Sequence, residues 1–164
     1  MQAPILMLYV DNENTELYHL YSDHVNKHNE KMSSDPLPNS GFDLFFPETV
    51  VFESGYVSKF VSMGVKAEMI CDNINCAFNI HPRSSISKTP LMLANHTGII
   101  DMNYRGFLIG AFRNLSLKDY IVDKHNRLLQ ICHPSLQPFF VKLVMESDMS
   151  DSVRGTGGFG SSGL

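Results

Sequence analysis

Positive charge is scarce in this chain. Its 164 residues carry 13 lysines and arginines against 17 aspartates and glutamates, a formal net charge of −4. A general DNA- or RNA-binding surface is normally basic, so nucleic acid is not an expected partner. Long apolar runs are also lacking. None approaches the roughly 20 residues that a membrane helix needs, so no membrane partner is expected either. The opening MQAPILMLYVDNE has no basic n-region and only a short apolar stretch, unlike a secretory signal peptide. Cysteine is sparse and odd in number: Cys71, Cys76 and Cys132. With nothing to suggest secretion, a reduced intracellular protein is expected. Cys71 and Cys76 stand in CDNINC, where zinc would want two more ligands at short spacing, and none is there. The apolar fraction is 43%, enough for a core in a chain of one-domain length.

The apolar residues are arranged in two patterns. APILMLY reads as a first strand. In TELYHLYSDHVNKHNEK, residues Leu17, Leu20, Tyr21, His24, Val25 and His28 recur at helical spacing. This predicts a helix over about 15–31 with Thr15 as N-cap. His24 and His28 are four apart, but no glutamate completes a metal pattern, and a half-solvated helix face accounts for both. SSDPLPNSG then breaks the chain. From residue 41 onward short apolar runs alternate with turn residues: GFDLFF, ETVVF, MGVKAEMI, AFNIH, PLMLA, RGFLIGAF, DYIV, NRLLQI and FFVKLV. Several alternate with period two, the signature of an all-β sandwich or barrel. The polar ESDMSDSV reads as a linker into RGTGGFGSSGL, which holds five of the eleven glycines. The expected organisation is a β domain over 1–150 carrying a helical insertion, then a flexible glycine-rich segment over 151–164.

Candidate chemistry lies where polar groups interrupt the β pattern. PRSSIS sets Arg83 beside Ser84 and Ser85, and an arginine fork with hydroxyls and turn amides can cradle an anion. NHTGIIDMNYRG brackets two turns between Gly98 and Gly106, with Asp101 and Tyr104 three residues apart. Such a hairpin exposes backbone donors and acceptors that can read a base edge. HNRLLQI places Arg127 and Gln130 on an apparent strand.

Taken in order, GFDL, PRSS, GIIDMNYRG, NRLLQ and RGTGGFGSSG run from Gly41 to Gly163. This succession resembles the five-motif signature of the trimeric dUTPases, the dUTP nucleotidohydrolases, and the third and fifth stretches are its most specific parts. The resemblance implies an all-β fold, a distorted jelly-roll or β-clip barrel, here with a short N-terminal helical insertion. It implies hydrolysis of dUTP to dUMP and pyrophosphate, Mg²⁺ as cofactor, and a homotrimer whose sites are shared between subunits. Each site would take motifs one, two and four from one chain, three from a second and five from a third.

Carried over by position, Asp101 matches the aspartate that activates the attacking water. Tyr104 matches the ring under deoxyribose, and the backbone from Asn95 through Gly98 and Ile100 to Asp101 would pair with uracil. Arg83, Ser84, Ser85 and Gln130 fall at phosphate contacts. Asp43 falls where an aspartate contacts waters of the bound magnesium. Arg154 matches the arginine on the γ-phosphate and Phe159 the ring that stacks on uracil. Gly160, Ser161 and Ser162 lie where the tail closes on the terminal phosphate. Some positions depart from the family pattern: His125-Asn126 for a common Gly-Asp or Gly-Glu, Asn103 for aspartate, Phe107 for a polar residue, and Ser85 for glycine. Histidine and asparagine tolerate left-handed backbone, so the turn at 125–126 can survive. Two other readings are a dCTP deaminase-like enzyme on the same fold and a non-catalytic β protein kept for assembly or binding.

Overall fold

The computed structural model describes residues 3–152 and Gly157. The elements are β1 (Ile5–Val10), α1 (Thr15–Ser34), β2 (Gly41–Leu44), β3 (Val50–Phe52), β4 (Lys59–Ser62), β5 (Val65–Cys71), β6 (Ile74–Cys76), β7 (Phe78–Pro82), β8 (Leu91–Leu93), β9 (Gly98–Ile100), β10 (Ile109–Asn114), β11 (Tyr120–Val122), β12 (Leu129–Cys132) and β13 (Phe140–Leu143). Short 3-10 turns cover Ser84–Lys88 and Glu146–Asp148. The strands form sheets ordered β13-β1-β5-β6, β2-β12-β7-β9, β4-β10-β8 and β11-β3. All pairings are antiparallel except β1 with β13.

Period-two burial explains the strands. In β2, Phe42 and Leu44 point inward while Gly41 and Asp43 face partly outward. In β7, Phe78 and Ile80 are buried and Asn79 and His81 are not. The inward rings meet: Phe46 lies 5.5 Å from Phe112 and 6.2 Å from Phe52 between centroids, and Phe52 lies 5.3 Å from Phe112. Each such pair adds about 0.5–1.5 kcal/mol beyond the area it buries.

α1 buries Leu17, Tyr21 and Val25 against this core. Its start differs from the sequence expectation. Asn14, not Thr15, is the N-cap, its side chain accepting the Leu17 N–H at 2.9 Å. Its end is set by Pro36: a residue before proline avoids helical backbone, and Asp35 is extended, so the helix closes at Ser34 rather than near residue 31. Tertiary hydrogen bonds then fix the helix. The buried Phe45 N–H donates to the Tyr21 hydroxyl at 3.0 Å. The Asn29 amide donates to Val141 O at 2.8 Å and accepts the Val141 N–H at 3.0 Å. Asn29 thus pairs with the edge of β13 as a neighbouring strand would, which blunts an exposed edge.

The stretch ESDMSDSV is not a free linker over its described part. Ser150 N–H donates to Glu68 Oε1 at 3.1 Å and its hydroxyl to Glu68 Oε2 at 2.6 Å. Among the described residues no helix is long and apolar enough to cross a membrane.

Tyr21→Phe removes the only atom of that side chain that satisfies the Phe45 N–H. An unpaired buried donor costs about 1–3 kcal/mol. Urea unfolding of Tyr21→Phe is expected to show a loss of that size with an unchanged m-value.

Candidate functional site

The strand register brings three chemistry-bearing side chains into one row. Asp43 on β2 stands opposite Gln130 on β12, and Gln130 stands opposite His81 on β7. Just beyond β7, Arg83 turns back to this row, its Nε 2.6 Å from Asp43 Oδ1. Arg127, before β12, places Nη1 3.1 Å from Asp43 Oδ2. One carboxylate thus orients two guanidinium groups. Arg83 Nη1 also donates to Arg127 O at 3.0 Å and to Ser85 Oγ at 3.3 Å, and Ser85 Oγ donates to Arg127 O at 3.2 Å. Ser85 therefore sits behind the arginines as a brace, whereas the exposed Ser84 faces the cavity. Gln130 donates to Pro82 O at 3.3 Å, and its Oε1 lies where a Cβ on residue 41 would be, so glycine at 41 leaves the room that this amide occupies.

These residues line a cavity of about 810 Å³. α1 forms its other wall with His24, Lys27, His28 and Lys31. Their spacing puts them on one face of the helix. His24 is held neutral, its pKa lowered to about 4, chiefly by burial and then by neighbouring His28, Arg127, Arg83 and Lys27. His28 is also lowered by burial, which outweighs its bond to the Phe139 carbonyl. Charge in the lining comes from Lys27, Lys31, Arg83 and Arg127 against the single carboxylate of Asp43. In a chain of net charge −4, this local positive surplus marks an anion site.

The other expected residues lie at the far side of the same sheet. β9 pairs with β7, Gly98 opposite Ile80 and Ile100 opposite Phe78. Asn95 is exposed in the turn between β8 and β9, and Asp101 is exposed directly after β9. Tyr104 N–H donates to Asp101 O at 3.0 Å, closing a turn over Asp101–Tyr104. The Tyr104 ring lies against Gly106, where any Cβ would collide with it, and its hydroxyl donates to Phe107 O at 2.8 Å. Arg105 points the other way, into the ion pair with Glu68 at 2.8 Å. None of Asn95, Gly98, Ile100, Asp101 and Tyr104 lines the cavity of Asp43 and Arg83. The two groups approach each other at His81 of the cavity, whose Nδ1 lies 3.4 Å from Thr97 Oγ1 in the turn between Asn95 and Gly98. Arg154, Phe159, Gly160, Ser161 and Ser162 lie outside the described residues.

At the unusual fourth-motif turn, His125 has φ of +66°, the left-handed backbone expected there. The expectation of three reduced cysteines is corrected: Cys71 and Cys76 are joined as a disulfide, and Cys132 is the free, buried one. The reason is the tight turn of β5 and β6, with Asp72 and Asn73 both at positive φ. It sets Cys71 opposite Ile74 and so on the same face as Cys76. Sequence reasoning missed Lys27, Lys31 and His81. The signal was present for the lysines: residues 24, 27, 28 and 31 continue the apolar stripe of Leu17, Tyr21 and Val25 along the helix.

The dUTPase family model matches residues 31–163. The chain is 34% identical over 128 residues to a deoxyuridine 5′-triphosphate nucleotidohydrolase of Crocosphaera subtropica, covering 77% of this chain and 85% of that protein. It is 34% identical over 127 residues to the enzyme of the same name from Hydrogenobaculum, covering 76% and 84%. The fold is similar to that of a mutant dUTPase of Staphylococcus bacteriophage 80alpha solved with dUpNHpp, with a TM-score of 0.50 and 24% identity over 77% of this chain and 87% of that one. It is similar also to a mutant dUTPase of phage phi11 of S. aureus, whose structure shows a structural Mg(II) ion (TM-score 0.51, 19% identity, 72% and 89% coverage). The expected all-β dUTPase-like fold with one N-terminal helix is borne out. α1 lies almost wholly before the matched region.

Gly41→Ala must push the Gln130 amide out of its place while leaving the backbone unstrained. A hydrogen bond to a charged group is worth about 1.5–3 kcal/mol. Calorimetric titration with inorganic triphosphate is expected to show affinity reduced roughly tenfold or more, with little change in melting temperature.

Proposed function

The chain belongs to the dUTPase family, and on that premise we propose that it hydrolyses dUTP to dUMP and pyrophosphate by attack of an Asp101-activated water on the α-phosphorus. The observation that carries this reading is the cation-lined cavity built from Asp43, Arg83, Ser84 and Gln130, with the Asp101–Tyr104 turn at the other end of the sheet.

A triphosphate is strongly anionic, and the cavity meets it with Arg83, Arg127, Lys27 and Lys31. Asp43 keeps the two arginines apart and aimed, so their charge is preorganised rather than mobile. Gln130 and the Ser84 hydroxyl add neutral donors. Water is a poor nucleophile, and Asp101, exposed at the end of β9, accepts its proton as it attacks; such a base contributes roughly 10²–10⁴ in rate. The remaining acceleration comes from holding phosphate, water and leaving group in line.

The hairpin backbone from Asn95 to Asp101 pairs with the uracil edge. A thymine methyl finds no room against it, and cytosine presents the wrong donors and acceptors, leaving polar groups unpaired. Tyr104, locked against Gly106, packs under deoxyribose and excludes a 2′-hydroxyl. Arg154 and Phe159 then grip the γ-phosphate and the base, and Gly160, Ser161 and Ser162 close over the terminal phosphate.

Magnesium suits this donor set indirectly. Mg²⁺ prefers oxygen ligands and retains several waters, and Asp43, the one carboxylate of the cavity, can accept hydrogen bonds from such waters. When bound, the ion neutralises phosphate charge and selects one phosphate conformation. That neither Asp101 nor Tyr104 lines this cavity in its own chain supports a homotrimer in which Asp101 and Tyr104 of one copy complete the Asp43 cavity of another. The reaction belongs inside the cell, where it limits uracil in DNA and supplies dUMP for thymidylate synthesis.

Pyrophosphate release from dUTP, with dCTP and dTTP as controls, tests the activity. Ammonia from dCTP would instead mark a deaminase, and no turnover of any nucleotide would mark a binding protein. Asp101→Asn is expected to keep dUTP binding while lowering kcat by about 10²-fold or more; near-normal turnover would remove Asp101 from the mechanism. Lys27→Ala/Lys31→Ala is expected to raise KM for dUTP several-fold with kcat little changed, since each exposed charge contact is worth up to about 1 kcal/mol. Added salt should shrink the difference between this variant and the parent.

A further inference from the structure

A second group of chemistry-bearing residues lies away from this cavity. Cys71 and Cys76 share one face of the β5–β6 hairpin, and His133, directly after β12, reaches them from the neighbouring sheet. Cys71 Sγ and His133 Nε2 are 3.4 Å apart, and the three ligand atoms all lie within 4.8 Å of one another. It is the one cluster of three or more potential metal ligands among the described residues.

We propose that Cys71, Cys76 and His133, with both thiols reduced, bind a soft divalent cation of the zinc class. Zn–S bonds of about 2.3 Å and Zn–N bonds of about 2.0–2.1 Å at a tetrahedral angle separate sulfur and nitrogen by about 3.5 Å, close to the spacing of Cys71 and His133. Two thiolates and an imidazole favour zinc over the hard magnesium ion. Each metal bound displaces the two thiol protons into solvent.

The surroundings of His133 suit a ligand. Its Nδ1 lies 2.9 Å from Ser135 Oγ and 3.1 Å from Ser135 N. Without metal the Ser135 N–H donates to Nδ1. With metal on Nε2 the proton sits on Nδ1 and is donated to Ser135 Oγ, the outer-sphere bond that commonly orients a ligating imidazole, and the Ser135 N–H gives up its bond to Nδ1. The Gln137 amide nitrogen lies 3.3 Å from His133 Nε2 and turns aside when a metal takes that lone pair.

The disulfide and the metal are alternative states of the same sulfurs, and they do different things. A disulfide across five positions closes a short loop within one already paired hairpin, and constrains the unfolded chain less than a longer loop would. A metal ties β5 and β6 to the segment after β12, the strand that carries Gln130.

The test uses the full chain, kept reduced with a phosphine, with free thiols counted before titration with Co²⁺. A thiolate-to-cobalt charge-transfer band saturating at one equivalent is expected, together with displacement by Zn²⁺ and a rise in melting temperature on Zn²⁺ addition. Cys76→Ser should abolish the band, His133→Asn should weaken and shift it, and Cys132→Ser should retain it. Absence of the band with the thiols shown to be free overturns the site, whatever the variants do. A band that His133→Asn leaves unchanged overturns the ligand set.

Discussion

The ion pair between Glu68 and Arg105 is the contact on which the arrangement of the functional segments depends. Glu68 is 4% exposed, on the central strand β5. Arg105 reaches it at 2.8 Å and spends its other donors on Ser150 O and Oγ at 2.8 and 2.5 Å and on the carbonyls of Met102 and Tyr104 at 3.0 and 2.8 Å. A buried carboxylate without a partner costs several kcal/mol, so this geometry tolerates little displacement. It pins the turn that presents Asp101 and Tyr104, and it pins Ser150 to the same sheet.

The Asp43 cluster solves a different electrostatic problem. Two arginines and two lysines around one cavity repel each other when no anion is present. Asp43 offsets part of that repulsion and holds Arg83 and Arg127 with one carboxylate oxygen each. Ser85 and the Arg127 carbonyl complete the brace. Burial pushes His24 and His28 toward the neutral form, so this face of the helix contributes the charge of Lys27 and Lys31 without crowding the site with four cations. α1 itself is seated by groups unrelated to charge, the Tyr21 hydroxyl and the Asn29 amide.

Much of this was legible along the chain. Period-two runs announced the strands, and helical spacing from Leu17 to His28 announced α1. Asp43, Arg83, Ser84 and Gln130 were legible as phosphate-side residues through the order of the motifs, and the cavity they share agrees with that grouping. Other features had no local signal. Asn14 rather than Thr15 caps α1, a choice made by backbone angles that both residues permit. Ser85 reads like Ser84 but faces the other way, because the 3-10 turn rotates successive side chains apart. Cys71 lies 62 positions from His133, and Ser150 lies 82 from Glu68; spacing rules for ligands or linkers look only at near neighbours and miss both.

The sequence by itself determined the all-β class, the one helix, the family to which the chain belongs and the residue types available for phosphate chemistry. These follow from hydrophobic period, turn residues and motif order, which are properties of adjacent positions. Only the tertiary structure decided that Asp43 holds two arginines, that α1 turns Lys27 and Lys31 toward them, and that Asp101 does not line their cavity in its own chain. Those outcomes depend on strand register and on which distant surfaces pack together. They are set by burial and hydrogen-bond satisfaction over the whole fold, and no short stretch of sequence carries that sum.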